Sequence, residues 1–481
     1  MRKEVITIAA IAISWVAARG AGAATREQPC HVDGVETPAT CVTLDVPRDY
    51  DRPDGATLAL TAVVIHASTA RPAPDPLIVL AGGPGQSATS LGGWLAPVLE
   101  RVRRERDVVL LDARGTGLSE PLDCKISFSS VIAGGAARPP ASLAAMRTAA
   151  QDCARALGDR VLHHSSREVI EDIERLRAAL GAERIDLWGG SYGTRIAQHY
   201  VRAYGERVRA VVLDAVSPVA TSVLVTGAHT PDAALGKLFA ECAADSACGA
   251  TFPDLPAQLA RLLAAAREAP LEGPAADPVT GERGTALLDY VTLANTIRVA
   301  LYGRVSTELL PFAIDAAVRG NLAPLLGIGG AVATDASVAF GAQFSMLCAE
   351  EWPVARAAGA AARTGELMRD GYYEMFNQAC EVWPSEPLPS SMLAPFSSRV
   401  PALAVSGDSD PVTPPALAEQ ALAQFATAVH VIVPHGFHTN SGNACVARII
   451  ASFLADPLAG GRDHGCVAAT PPLAFNTGPS S

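Results

Sequence analysis

Apolar residues in this chain fall into short, nearly uninterrupted blocks, and the spacing of those blocks sets the expected architecture. Residues 76–81, 107–111, 185–188, 208–213 and 402–406 are dominated by Val, Ile, Leu and Ala. Runs of this length between turn residues predict strands buried on both faces, as in a parallel sheet. Residues 42–47 and 58–66 are two further strands, joined by the turn Asp51-Arg52-Pro53-Asp54-Gly55, and residues 429–433 are the last of eight. Between them lie amphipathic helices. Over 167–180, Val169, Ile170, Ile173, Leu176 and Leu180 share one side, and Gly181 caps the end. A second helix follows Ser191 and runs over 194–204. This alternation of strand and helix predicts a mostly parallel sheet with helices on both faces.

The rhythm stops near residue 219 and returns at 401. In between, Ala-rich helical stretches at 255–267, 290–301, 307–318 and 355–369 alternate with Pro- and Gly-rich connections. A final helix is expected over 444–454. The chain therefore divides into 1–24, 25–218, an inserted helical segment 219–400, and 401–481. At 481 residues there is ample length for one large core and an inserted second one.

Composition narrows the setting. Arg2 and Lys3, an apolar stretch from Val5 to Ala18, and Ala21-Gly22-Ala23 read as a secretory leader cleaved after Ala23 or Ala24. The expected location is secreted or periplasmic, without stable membrane association. All ten cysteines follow the leader and none forms Cys-x-x-Cys, so disulfides are expected rather than a metal site. Pairing neighbours along the chain gives Cys30–Cys41, Cys124–Cys153, Cys242–Cys248, Cys348–Cys380 and Cys445–Cys466. A formal net charge of −11 without a basic cluster argues against nucleic acid as a partner. A monomer is expected.

Candidate chemistry lies in the loops that end the strands. Gly82-Gly83-Pro84-Gly85 follows the run at 76–81, and Asp112-Ala113-Arg114-Gly115-Thr116-Gly117-Leu118-Ser119 follows that at 107–111. Neither contains the Gly-Lys-Ser/Thr of a phosphate loop nor a G-x-G-x-x-G entering a helix, so nucleotide binding is rejected. Gly189-Gly190-Ser191-Tyr192-Gly193 fits G-x-S-x-G, a strained strand-to-helix turn that lifts a serine above the sheet. Glycines two positions either side supply the room such a turn needs. After the serine come two further loops at strand ends, 407–415 with Asp408 and Asp410, and 434–440 with His435 and His438. Ser…Asp…His is the triad order of α/β-hydrolases. Asp410 and His438 are the first choices; Asp408, Asp214 and His435 are their rivals.

Taken together, Ala81-Gly82-Gly83-Pro84-Gly85, Asp112-x-Arg-Gly-x-Gly-x-Ser119 and Gly189-Gly190-Ser191-Tyr192-Gly193-Thr194 resemble the three signatures of the proline-iminopeptidase and tripeptidyl-aminopeptidase family of α/β-hydrolases. Ala81 stands where that family often has His, and Phe437 where it has Gly. The resemblance implies an α/β-hydrolase fold with a helical lid at 219–400 roofing Ser191. Gly-x-x-Asp410-x-x-Thr-Pro resembles the family's acid loop. The implied mechanism is acyl transfer: Ser191 attacks, His438 takes its proton, and Asp410 orients the imidazole. The oxyanion would be held by the N–H groups of Tyr192 and Gly83. No metal or organic cofactor is required. An aminopeptidase must also neutralise a substrate ammonium, for which Glu350, then Glu351, in Met346-Leu347-Cys348-Ala349-Glu350-Glu351-Trp352-Pro353 are the candidates. A carboxylesterase with the same triad and a non-catalytic scaffold are the other functions to weigh.

Overall fold

A nine-stranded sheet runs through the computed structural model, which describes residues 25–124, 143–276, 283–333 and 337–478. The leader expected over 1–24 lies outside the described residues. The strands are β1 (Thr25–Cys30), β2 (Ala39–Pro47), β3 (Thr57–Ile65), β4 (Leu77–Leu80), β5 (Val108–Leu111), β6 (Ile185–Gly190) and β7 (Val208–Asp214), followed after the insertion by β10 (Ala402–Gly407) and β11 (Ala428–Val433). Their order is β1-β2-β3-β5-β4-β6-β7-β10-β11. From β5 to β11 every pairing is parallel; β1, β2, β3 and β5 pair antiparallel.

Eight strands were expected and nine are present. The additional strand, β1, has the sequence Thr-Arg-Glu-Gln-Pro-Cys and is exposed along almost its whole length. It carries no apolar pattern because it sits at the sheet edge and is held by its ladder to β2. The central strands behave as their composition dictates. Ile78, Leu80, Val109, Leu111, Leu187, Val211 and Leu213 face one layer of helices. Leu77, Val79, Val108, Leu110, Trp188, Val212, Leu403 and Val405 face the other. Period-two alternation puts successive apolar side chains on opposite faces, so a continuous apolar run buries both.

The helix Ser166–Ala179 lies on the first face, and Gly92–Arg103 and Ala444–Ala455 lie on the second. Ser166–Ala179 starts at a capping box, with the Ser165 N–H donating to Glu168 Oε2 at 3.0 Å. It ends at Gly181, whose φ of +68° needs no Cβ.

Between β7 and β10 the chain forms helices that include Thr230–Ala244, Leu255–Glu268, Tyr290–Ala300 and Arg304–Val318, and a hairpin of β8 (Leu271–Ala276) and β9 (Arg283–Leu288) absent from the sequence expectation. These elements bury their own apolar cluster, including Leu238, Leu259, Leu293, Ile297, Leu310 and Ile314. The later elements do not join it. Phe344, Met346, Leu347, Ala355, Phe376 and Cys380 rejoin the sheet's first core. The helix expected over 355–369 is instead Trp352–Ala358, stopped at Gly359 with φ +82°. All ten cysteines are bonded, as Cys30–Cys41, Cys124–Cys153, Cys242–Cys248, Cys348–Cys380 and Cys445–Cys466. Among the described residues no helix is long and apolar enough to cross a membrane.

Candidate active site

Ser191 stands between β6 and the helix Tyr192–Tyr204 with φ +53° and ψ −122°, a conformation that side-chain-bearing residues rarely adopt. The flanking glycines show why it is tolerated. A Cβ on Gly193 would lie 2.1 Å from the Leu80 carbonyl oxygen, and one on Gly189 would lie 2.6 Å from that of Gly193. The turn is then pinned from three sides. The Ser191 N–H donates to the Asp214 carbonyl at 2.8 Å, and Thr194 donates to the Ser191 carbonyl through N–H and Oγ1 at 3.0 and 2.6 Å.

The loops after β10 and β11 bring the remaining groups to this turn. His438 Nε2 lies 2.8 Å from Ser191 Oγ, while its Nδ1 lies 3.0 and 3.1 Å from the two carboxylate oxygens of Asp410. Asp410 is buried and accepts from the N–H groups of Val412 and Thr413 and the hydroxyl of Thr413, at 2.8, 2.9 and 2.8 Å. Burial alone would raise its pKa, but the adjacent His438 and these donors hold it below the ordinary aspartate value. The carboxylate stays ionised and points at the imidazole.

The rival residues have other partners. Asp408 pairs with Lys237 on the helix Thr230–Ala244, and His435 Nδ1 lies 3.2 Å from Glu241 on the same helix. Asp214 is fully buried and accepts from the N–H groups of Asn440 and Ser441 at 2.9 and 2.7 Å, and from the Ser441 hydroxyl at 2.6 Å. Burial pushes its pKa up against those donors. It anchors the backbone just beyond His438 without touching the ring.

The glycine turn after β4 completes the surroundings. A Cβ on Gly82 would sit 2.8 Å from the Ser191 Cβ, and Gly83, with φ +103°, follows in the same turn. Tyr192 is the first residue of its helix, so its N–H has no intrahelical acceptor and lies at the positive end of the dipole. The second Gly-rich loop is a buttress. Asp112 accepts from Thr89 N–H and Leu118 N–H at 2.9 and 2.8 Å, and Arg114 forms a fully buried pair with Asp172 at 2.6 Å.

Glu350 and Glu351 are not where an ammonium could meet them. The segment Leu347–Glu351 is one turn of π-helix, and it directs both carboxylates beneath the Ser191 helix. Glu350 accepts from Ser166 N–H, Ser166 Oγ and the Tyr192 hydroxyl at 2.6, 2.9 and 2.8 Å. Glu351 accepts from Val223 N–H at 2.8 Å. Arg195 lies 3.7 Å from Glu350 and 3.3 Å from Glu351. Burial raises the pKa of Glu350 against the pull of Arg195 and its donors. Adjacent sequence positions could not show that Arg195, more than 150 positions earlier, lies against both carboxylates. The pair therefore ties the later insertion elements to the helix Tyr192–Tyr204. Glu350→Ala is expected to lower unfolding stability by about 3 kcal/mol or more, measured by urea denaturation, because it leaves Arg195 and Tyr192 buried with fewer acceptors. Unchanged stability with a raised KM would return Glu350 to substrate binding.

Three residues beside the triad were not singled out in sequence. Thr413 braces Asp410, and its place in Asp-x-x-Thr-Pro was a usable signal. Tyr302 packs its ring 4.9 Å from the His438 ring and accepts the His438 N–H on its carbonyl at 3.2 Å. Arg298, one helical turn earlier, stacks on Tyr302 and Tyr372.

Residues 75–249 match a family described as α/β hydrolase fold, and residues 366–466 match one described as TAP-like protein. The chain thus carries an α/β-hydrolase-fold region followed by a TAP-like region. It is 31% identical over 225 residues to the serine protease Hip1 of Mycobacterium tuberculosis, a stretch covering 44% of this chain and 42% of that one. Identity to the tripeptidyl aminopeptidase of Streptomyces lividans is 29% over 212 residues, 42% of this chain and 40% of the relative. Carboxylesterase B of Mycobacterium tuberculosis is 34% identical over 227 residues, 44% of this chain and 43% of the relative. The match thus spans less than half the length of each relative.

Proposed function

We propose that this TAP-like hydrolase is an exported serine peptidase that releases short N-terminal fragments through an acyl-enzyme on Ser191. The observation that carries the reading is the hydrogen-bonded line from Ser191 through His438 to Asp410, at 2.8 and 3.0 Å. Nε2 of His438 takes the Ser191 proton as Oγ attacks the acyl carbon. Asp410 holds Nδ1–H and stabilises the imidazolium. The tetrahedral oxyanion forms against the N–H groups of Tyr192 and Gly83. His438 then delivers its proton to the leaving atom, and water, deprotonated by the same imidazole, hydrolyses the acyl-enzyme. The names of the serine protease and tripeptidyl aminopeptidase relatives favour a peptide bond as the target. Five disulfides and the leader-like residues 1–24 support export into an oxidising compartment.

One observation favours a carboxylesterase as the second reading. Glu350 is engaged by Ser166 and Tyr192, and both carboxylates are buried against Arg195, away from solvent. A turnover comparison separates the two. The peptidase reading expects a free-amine tripeptidyl anilide to exceed its N-acetylated form in kcat/KM by about tenfold or more, the discrimination a charge-assisted contact supplies. Preference for the acetylated anilide or for a short p-nitrophenyl ester leaves the esterase.

A further inference from the structure

Five arginines are buried among the described residues: Arg106, Arg114, Arg177, Arg195 and Arg298. Four of them have a carboxylate within ion-pair distance. Arg298 has none among the described residues, although it is only 6% exposed. A buried cation without a counter-charge is costly. Its guanidinium carbon sits 3.8 Å from the Tyr372 ring centroid and 5.3 Å from that of Tyr302. Its Nε has no hydrogen-bond partner. The groups that act on its charge are the Tyr302 and Tyr372 side chains and, more weakly, the Asp410 carboxylate, which is already engaged by His438 and Thr413. Stacked between aromatic rings, a guanidinium keeps a planar set of donors that matches a carboxylate.

The position matters as much as the charge. The Tyr302 ring touches both groups: its centroid lies 5.3 Å from the Arg298 guanidinium carbon and 4.9 Å from the imidazole centroid. His438 hands its proton to the leaving atom, so the side of the site that holds the imidazole also receives the leaving fragment. An extended residue spans about 3.4 Å, so one or two residues bridge the width of a ring. We infer that Arg298 binds a carboxylate on the leaving fragment, selecting substrates whose departing part is short and ends in a free acid, such as the C-terminal one or two residues of an oligopeptide. The inference rests on the serine-hydrolase reading.

The test uses the full chain and paired substrates that differ only in that charge: the butyrate esters of 3-hydroxybenzoate and 3-hydroxybenzamide, and one tetrapeptide as free acid and as C-terminal amide. The readout is the ratio of kcat/KM, acid over amide. Wild type is expected to favour the acid, and Arg298→Gln to cut the ratio about tenfold or more, the scale of one lost charge-assisted hydrogen bond. Arg298→Lys, which keeps a point charge without the planar fork, should retain part of the preference and guards against a folding defect in the glutamine variant. A wild-type ratio near one, or an Arg298→Gln variant that slows both partners equally, overturns the inference and leaves Arg298 as an aromatic clamp. Absence of fluorophosphonate labelling would instead remove the serine-hydrolase reading itself, and the inference with it.

Discussion

Ser191→Ala is expected to lower turnover by roughly 10⁴- to 10⁶-fold and to abolish covalent labelling by a fluorophosphonate. The size follows from geometry. Ser191 Oγ is the atom within 2.8 Å of His438 Nε2, and activation requires that the proton leave along this line as the new bond forms. The oxyanion donors remain in the variant and retain what polarisation they supply, which is why a residue of activity over water is expected. Stability should change little. Alanine carries the same Cβ as serine, so it meets the φ of +53° with the strain already present. The hydroxyl makes its hydrogen bond to His438, and no backbone group depends on it. Both measurements are therefore needed: mass-spectrometric mapping of the labelled residue, and a urea midpoint to show that the variant is folded. A label retained at another serine would move the nucleophile away from the turn after β6.

The parts of the molecule that could be read from its sequence are those fixed by local chemistry. The central strands are legible because burial on both faces admits only apolar side chains, and Ile78 and Val79 point to opposite layers with neither able to be polar. The turn at Ser191 is legible because its glycines answer to contacts of 2.1 and 2.6 Å that no side chain could fit. Where long-range partners decide, the reading fails. β1 is a strand through its pairing with β2, and its residues Thr25, Arg26 and Glu27 give no sign of that. Glu350 and Glu351 look solvated until Arg195 and a π-helical turn take them under the helix Tyr192–Tyr204. Residues 219–400 form two bodies of packing rather than one, since Leu293 and Phe344 belong to different cores. Composition alone does not distinguish them, because both are Ala-rich and helical. Arg298 and Tyr302 offered one missed signal, a cation and an aromatic four residues apart and therefore on one side of the chain's helical turn.

Asp410→Asn is expected to cost about 10⁴-fold in kcat, far more than Asp214→Asn or Asp408→Asn. The three residues lie close to the same loops, and they differ in what they hold. Asp410 sets its two oxygens 3.0 and 3.1 Å from His438 Nδ1, so it fixes the tautomer that leaves Nε2 free to accept from Ser191. An asparagine there can turn its NH₂ toward Nδ1, which stabilises the opposite tautomer and leaves a proton on the nitrogen that must act as base. Its other duties, to Val412 and Thr413, are met by the remaining carbonyl, so the fold should survive. Asp214 meets donors from Asn440 and Ser441 instead. Asparagine at that buried position presents one amide group to N–H donors, and the loss should appear as about 1–3 kcal/mol of stability with a smaller drop in kcat. Asp408 holds a half-buried Lys237 and is worth about 0–1 kcal/mol, with turnover nearly unchanged. Steady-state kinetics and denaturation midpoints on the three variants read this order directly. If Asp214→Asn abolishes turnover while Asp410→Asn does not, the acid that governs His438 comes from the end of β7, and the line drawn through Asp410 is a hydrogen bond without a catalytic role.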